Sequence, residues 1–287
     1  MMDDPAWVVI RGICRGLHLA GYFCAFGSIF LCAGLLQGEV LRGIKALAWA
    51  GFAVALLFGL GWFLLQTADF ASAQSFSDVW AAIPVVAEYT RFGNLVLGRL
   101  AVLLLAVLLF QVNWPRLAAV LAFGGVVAES WLGHGGAMTG WEGDVLLATS
   151  VPHLAAAALW LGVLPGMYMA VLRLPDAAPL LRRFSPLGMG CVGVLLVTAL
   201  VQYVLLIATP RAFFTTAYGA VAFFKILLLC GLIILAVRNR ARLLPCMPAS
   251  RPVLLRAIGA EMGLGLLVLA AAGLILQLEP PTMVGMM

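Results

Sequence analysis

Charge is scarce in this chain. Only 10% of its residues are Asp, Glu, Lys or Arg, 64% are hydrophobic, and the mean hydropathy is +1.10. No soluble domain of 287 residues hides that much apolar surface, so the soluble classes are excluded and lipid is the solvent. Residue-by-residue alternation is also missing. The apolar runs are continuous, which excludes barrel strands and leaves transmembrane helices. There is no P-loop and therefore no built-in ATP hydrolysis. GxSxG, HExxH and a serine–histidine–acid set are absent too, so no enzyme is expected. The cysteines (14, 24, 32, 191, 230 and 246) fall mostly inside apolar runs, which argues against a disulfide framework. The N-terminal stretch lacks a basic start and a small-residue cleavage site, so it reads as a retained first helix.

What is present is a series of long apolar segments. Eight spans are predicted, at 8–36, 44–66, 93–111, 115–133, 145–172, 186–208, 217–237 and 254–277. Each is long enough for a hydrocarbon core of about 30 Å. The fold class is thus an all-α integral membrane protein. The net charge of +5 points to topology rather than to nucleic acid, because the basic residues lie between spans. Eleven of them follow spans 1, 3, 5 and 7: Arg42, Lys45, Arg116, Arg173, Arg182, Arg183, Arg238, Arg240, Arg242, Arg251 and Arg256. The other side holds Arg11, Arg15, Arg91, Arg99 and Arg211. The positive-inside rule then puts both termini outside.

Two short patterns recur in order. "HLAGYFCAFG" and "HLAAAALWLG" each run from His-Leu-Ala to a glycine, His18 to Gly27 and His153 to Gly162. "TRFGNLVLGR" and "TAYGAVAFFK" each run from Thr-x-aromatic-Gly to a cation, Thr90 to Arg99 and Thr216 to Lys225. The chain reads as two fused four-helix halves, 1–133 and 134–287, within one membrane domain, related by an axis along the membrane normal. His18 and His153 become equivalent positions, as do Arg99 and Lys225. Ionisable groups inside a membrane are costly and usually functional. Glu261 reads as the only acid well inside a span and as a candidate partner for Lys225, although their depths differ by several residues. A structural clamp between helices explains these groups as well as transport does.

Histidine is rarer still, with three in the chain. His134 and Met138 lie in the glycine-rich "SWLGHGGAMTG", which should face outward, and His153 follows at the start of span 5. His18 faces it by the repeat, with Cys14 one turn away. The tail "EPPTMVGMM" adds Met283, Met286 and Met287 on the same side. Imidazole and thioether suit copper, and thioether favours Cu(I). Each residue also has a bland explanation, as apolar filler or as a helix–helix hydrogen bond. Zinc would want more thiolate or carboxylate. A b-type haem held between His18 and His153 is the main competing chemistry, and it would make the protein an electron carrier or oxidoreductase.

"GHGGAMTG" with "PHLAAAALWLGVLPG" resembles the outer loop and fifth helix of the bacterial copper resistance protein D (CopD) family. "RRFSPLGMGCVGVLLVTALVQ", "TTAYGAVAFFKILLLCGLIILAVRNRARLLP", the last helix with Glu261 and "TRFGNLVLGRL" extend the likeness, most firmly over 129–281. The resemblance implies a multi-pass bacterial inner-membrane protein of copper homeostasis and resistance, with both termini periplasmic. Such a protein moves copper inward, often alongside a separate periplasmic carrier of the CopC type. It makes His18, His134 and His153 the residues expected to matter. Trp160, Tyr218, Lys225 and Asn239 match family-like positions that packing alone could explain. The expected function is capture of copper at the periplasmic face and transport toward the cytoplasm. A haem-binding electron carrier, or a copper receptor or chaperone that does not transport, are the alternatives.

Overall fold

A long apolar run in lipid satisfies its backbone only by closing hydrogen bonds within itself, and every such run in this chain does so. The computed structural model describes residues 5–36 and 41–283. In chain order the helices are α1 (Pro5–Gly34), α2 (Leu41–Phe70), α3 (Phe76–Tyr89), α4 (Arg91–Gln111), α5 (Pro115–Ala128), α6 (His134–Ala137), α7 (Gly140–Arg173), α8 (Ala178–Leu206), α9 (Ala212–Thr215), α10 (Ala217–Arg238) and α11 (Arg251–Ile275). A short 3₁₀ turn, Glu129–Leu132, extends α5. No strand occurs among the described residues. Among the described residues, eight helices are long and apolar enough to cross a membrane: α1, α2, α4, α5 with its extension, α7, α8, α10 and α11. This is an all-α integral membrane protein with the predicted number of spans.

Two differences from the expected spans have local causes. α8 begins at Ala178, eight residues before the apolar run, and includes Arg182 and Arg183. Charged residues end the lipid-embedded part of a helix without ending its hydrogen-bond ladder. α3 lies between two spans and was not expected. Its start is a capping box, in which the Ser75 hydroxyl accepts from the Asp78 N–H at 3.3 Å and the Asp78 carboxylate accepts from the Ser75 N–H at 2.9 Å. These hydrogen bonds hold the exposed Asp78 carboxyl below its ordinary pKa. α3 exposes Phe76, Trp80 and Tyr89, a surface suited to the membrane–water interface.

α1 is the hub, packed against α2, α5, α7 and α11. Its glycines let neighbouring backbones close in: Gly12 and Gly16 face Leu274 and Ala270 of α11, and Gly21 faces Gly51 and Ala55 of α2. Small residues at a crossing replace the hydrophobic driving force that lipid removes. The tightest crossing is Gly27 of α1 on Gly162 of α7, where a Cβ on either would strike the other helix's backbone. Thr90 and Thr216 also cap α4 and α10 in the same manner, accepting from the N–H of Gly93 at 2.9 Å and of Gly219 at 3.0 Å. α2 packs on α4, whereas α8 and α10 make no comparable contact, and a cavity opens between them.

Candidate functional site: a charged cluster and a cavity

Among α1, α2, α4 and the turn that extends α5, the charged residues neutralise one another. Glu129, 2% exposed, pairs with Arg15 at 2.8 Å and also with Arg99. Arg99 Nε donates to the Gly125 carbonyl at 2.8 Å, and Arg15 donates to the Leu132 carbonyl at 3.0 Å. Both guanidinium groups lie over rings, Arg15 on Trp62 at 4.6 Å and Arg99 on Tyr22 at 4.8 Å. Arg11, one turn before Arg15, pairs with Asp69. The five arginines that sequence reading set against the eleven basic residues of the other side thus include three buried and paired in the helices: Arg11, Arg15 and Arg99. Glu129 is the residue that sequence reading missed. Glu261 stands well inside α11, and Glu129, in the turn that ends the fourth span, is a second buried acid. Its signal was an acid standing alone in the apolar run "VVAESW".

His18 belongs to this cluster. Its Nδ1–H donates to the Ala55 carbonyl at 2.8 Å, so Nε2 carries the lone pair, and Arg99 lies on it at 3.3 Å. Both nitrogens are engaged and the ring is fully buried. His18 does not line the cavity and does not face His153 there, so no bis-histidine haem pair is assembled between them.

The open site lies beside this cluster. A cavity of about 240 Å³ is bounded by α7, α8, α10 and α11 and closed by α1 and the α5–α6 segment. His134, His153, Lys225, Tyr218, Arg15, Glu129 and Ser130 all reach it. The Thr198 hydroxyl donates to the Val194 carbonyl at 2.7 Å, so its oxygen accepts from His153 Nδ1–H at 2.8 Å. That fixes the tautomer and leaves the His153 Nε2 lone pair without a partner among the described residues. His134 stands 5.7 Å from the Tyr218 ring and beside the Ile275 carbonyl, and its buried Nε2 makes no well-formed hydrogen bond among the described residues. Burial pushes its pKa down to about 4, so the ring is a neutral base at ordinary pH. Its position comes from close backbone approach: Gly135 packs its Cα on the Leu146–Leu147 backbone of α7, and Gly140 turns the chain into α7 at φ +81°. Arg91 donates to the Gly136 carbonyl at 2.8 Å and ties the loop to α4.

The other expected residues lie elsewhere. Met138 and Met283 pack into an apolar cluster with Leu146, Leu206 and Tyr218 rather than lining the cavity. Cys14 sits half-buried on α1, facing Gly61 of α2. Met286 and Met287 fall outside the described residues. Among the described residues no three His, Cys, Asp or Glu side chains gather as a metal site. Glu261 does not meet Lys225. It accepts from Asn239 Nδ2 at 2.5 Å, because the two acid and amine positions stand at different depths of α11 and α10. Lys225, about 12 Å along α10 from its start, has no ion pair among the described residues. Trp160 lines the cavity with it.

Comparison with known proteins follows this geometry. The profile described as "Copper resistance protein D-like, N-terminal domain" matches residues 1–144, and that described as "Copper resistance protein D" matches 178–275. Among curated proteins, the "Copper transport protein CutJ" of Bacillus subtilis (strain 168) is 27% identical over 173 residues, 56% of this chain and 30% of CutJ. The chain therefore spans about a third of that relative's length. The "Inner membrane protein YebZ" of Escherichia coli (strain K12) is 28% identical over 215 residues, 71% of this chain and 72% of YebZ. No solved structure matches significantly. The two profiles describe one family at both ends of the chain and between them hold Arg15, Glu129, His134 and Lys225; on that ground the chain belongs to the copper resistance protein D family.

Proposed function

We propose that this protein takes up Cu(I) at the outer face of a bacterial inner membrane, holds it between His134 and His153, and passes it toward the cytoplasmic side. One observation carries the reading: two imidazoles open into one cavity, and neither Nε2 makes a well-formed hydrogen bond among the described residues. Two imidazoles are a sufficient set for a soft ion of low coordination number, whereas zinc would want four ligands. The family and the name of CutJ support copper as the cargo, and the name of YebZ supports the inner membrane. The distribution of basic residues supports periplasmic termini. A separate CopC-like protein would deliver the metal. We also propose that the chain is two fused halves, supported by the matching threonine caps and the Gly27–Gly162 crossing. His18 would serve as a further station only after giving up Arg99.

The test is Cu(I) titration of detergent-purified protein against a chromophoric chelator. His134→Ala and His153→Ala should each weaken binding by about 10- to 100-fold without changing thermal stability by more than a degree or so. Unchanged affinity in both variants would sink the assignment. Vesicles then separate transport from storage. Copper accumulating inside supports conduction, and copper bound without accumulation would turn the reading to a receptor.

A further inference from the structure

The cavity carries a charge that bare copper does not satisfy. Arg15, Glu129 and Lys225 reach it, and Arg99 stands directly behind Glu129. Three cations therefore share one anion. The imbalance sits at Lys225. Its counterpart in the sequence pattern, Arg99, has Glu129 as a counterion, while Lys225 makes no ion pair among the described residues and lines a cavity whose other residues include Leu229, Leu269 and Ala272. Glu261, the nearest candidate in sequence terms, is held by Asn239. An unpaired ammonium inside a membrane is costly, and it persists where something supplies the opposite charge. Ser130, 1% exposed, adds a hydroxyl with no hydrogen-bond partner at the same cavity. Lys225 and His153 line the same cavity.

We infer that Lys225 marks an anion position, and that Cu(I) is held with one soft monodentate anion, a halide or a small thiolate, as its third ligand. This rests on the copper reading above. Carboxylate or phosphate would also answer the charge, but hard oxygen anions are poor ligands for Cu(I). The step is a ligand exchange with no change of oxidation state. A CuX₂⁻ complex gives up one X⁻ to solution, the Nε2 atoms of His134 and His153 each donate a lone pair, and the other X⁻ stays on copper facing Lys225. The bound unit, two neutral imidazoles with CuX, is neutral, so the metal adds no charge to a cavity already short of anions. A bare Cu⁺ would add one, next to an ammonium.

X-ray absorption at the copper edge tests this on the full-length protein loaded with Cu(I) in bromide buffer free of chloride. The expected spectrum has an imidazole shell and a bromide shell. Lys225→Gln should keep copper and imidazole but lose more than half of the bromide amplitude, while Lys225→Arg should retain it. An imidazole-only spectrum in the wild type overturns the inference and leaves the copper reading standing. Failure of the wild type to retain copper overturns the copper reading itself. Full bromide amplitude in Lys225→Gln removes the lysine from the site. If Lys225→Gln does not fold, the wild-type spectrum still decides. Added cysteamine distinguishes the two sources: sulfur replacing bromide assigns a thiolate, and persistent bromide assigns a halide.

Discussion

Glu129→Ala is expected to be the most damaging single side-chain truncation in the first half. Glu129 is the shared counterion of Arg15 and Arg99, and all three are nearly inaccessible. Removing it leaves two guanidinium groups facing each other where the dielectric is low. Breaking a buried pair in this way costs about 3–5 kcal/mol. For a chain of this size that corresponds to a fall in unfolding temperature on the order of 10 °C. Glu129→Gln keeps the shape and one acceptor, so it should lose nearly as much. Thermal unfolding in detergent, followed by tryptophan fluorescence, measures both. A double-mutant cycle with Arg99→Gln should show strong coupling, because the second change removes one stranded cation. A fall of under about 2 °C, with additive effects, would mean that the two arginines are neutralised elsewhere.

Gly27→Val is the second large effect. A Cβ at Gly27 strikes the Gly162 carbonyl, which is backbone and cannot swing aside. α1 and α7 would have to separate, and α1 also carries Arg15, Leu19 and Phe23 on the cavity wall. Overpacking of this kind costs at or above about 3 kcal/mol. The expected result is loss of the monodisperse peak on size exclusion, with copper retention lost alongside it. Gly98→Ala on α4 is the control. Nothing lies within 4 Å of an added Cβ there, so it should be neutral or stabilise by up to about 1 kcal/mol. If Gly27→Val and Gly98→Ala behave alike, the Gly27–Gly162 crossing is not a constraint on the bundle.

Part of the candidate site is legible in the sequence. His134 and His153 stand out because imidazoles are rare here, one in the glycine-rich loop and one at the start of the span that follows, and both reach one cavity. Gly135 in that loop packs closely on the backbone of α7. The capping box of α3 was readable as Ser75 and Asp78, but its short amphipathic helix fell below the threshold of a search for long apolar runs. Glu129 was hidden for a different reason. Its sequence neighbours, Ser130 and Trp131, are typical of a span edge, where an acid ordinarily reaches water. Nothing local says that it turns inward to two arginines.

Hydropathy and positive-inside bias are sums over neighbouring residues, so the helical class, the eight spans and the rarity of intramembrane charge followed from the chain alone. Pairing is not such a sum. Arg15 finds Glu129 across 114 positions, and His18 finds Arg99 across 81. The histidines likewise differ in what packing gives them: His18 is bonded at both nitrogens, His153 spends Nδ1 on Thr198, and His134 Nε2 makes no well-formed hydrogen bond among the described residues. The cavity itself exists because α8 and α10 stand apart where α2 and α4 touch, a difference in helix packing that no residue in either helix declares. Side-chain chemistry could be read one residue at a time; its availability depended on which neighbours packing supplied.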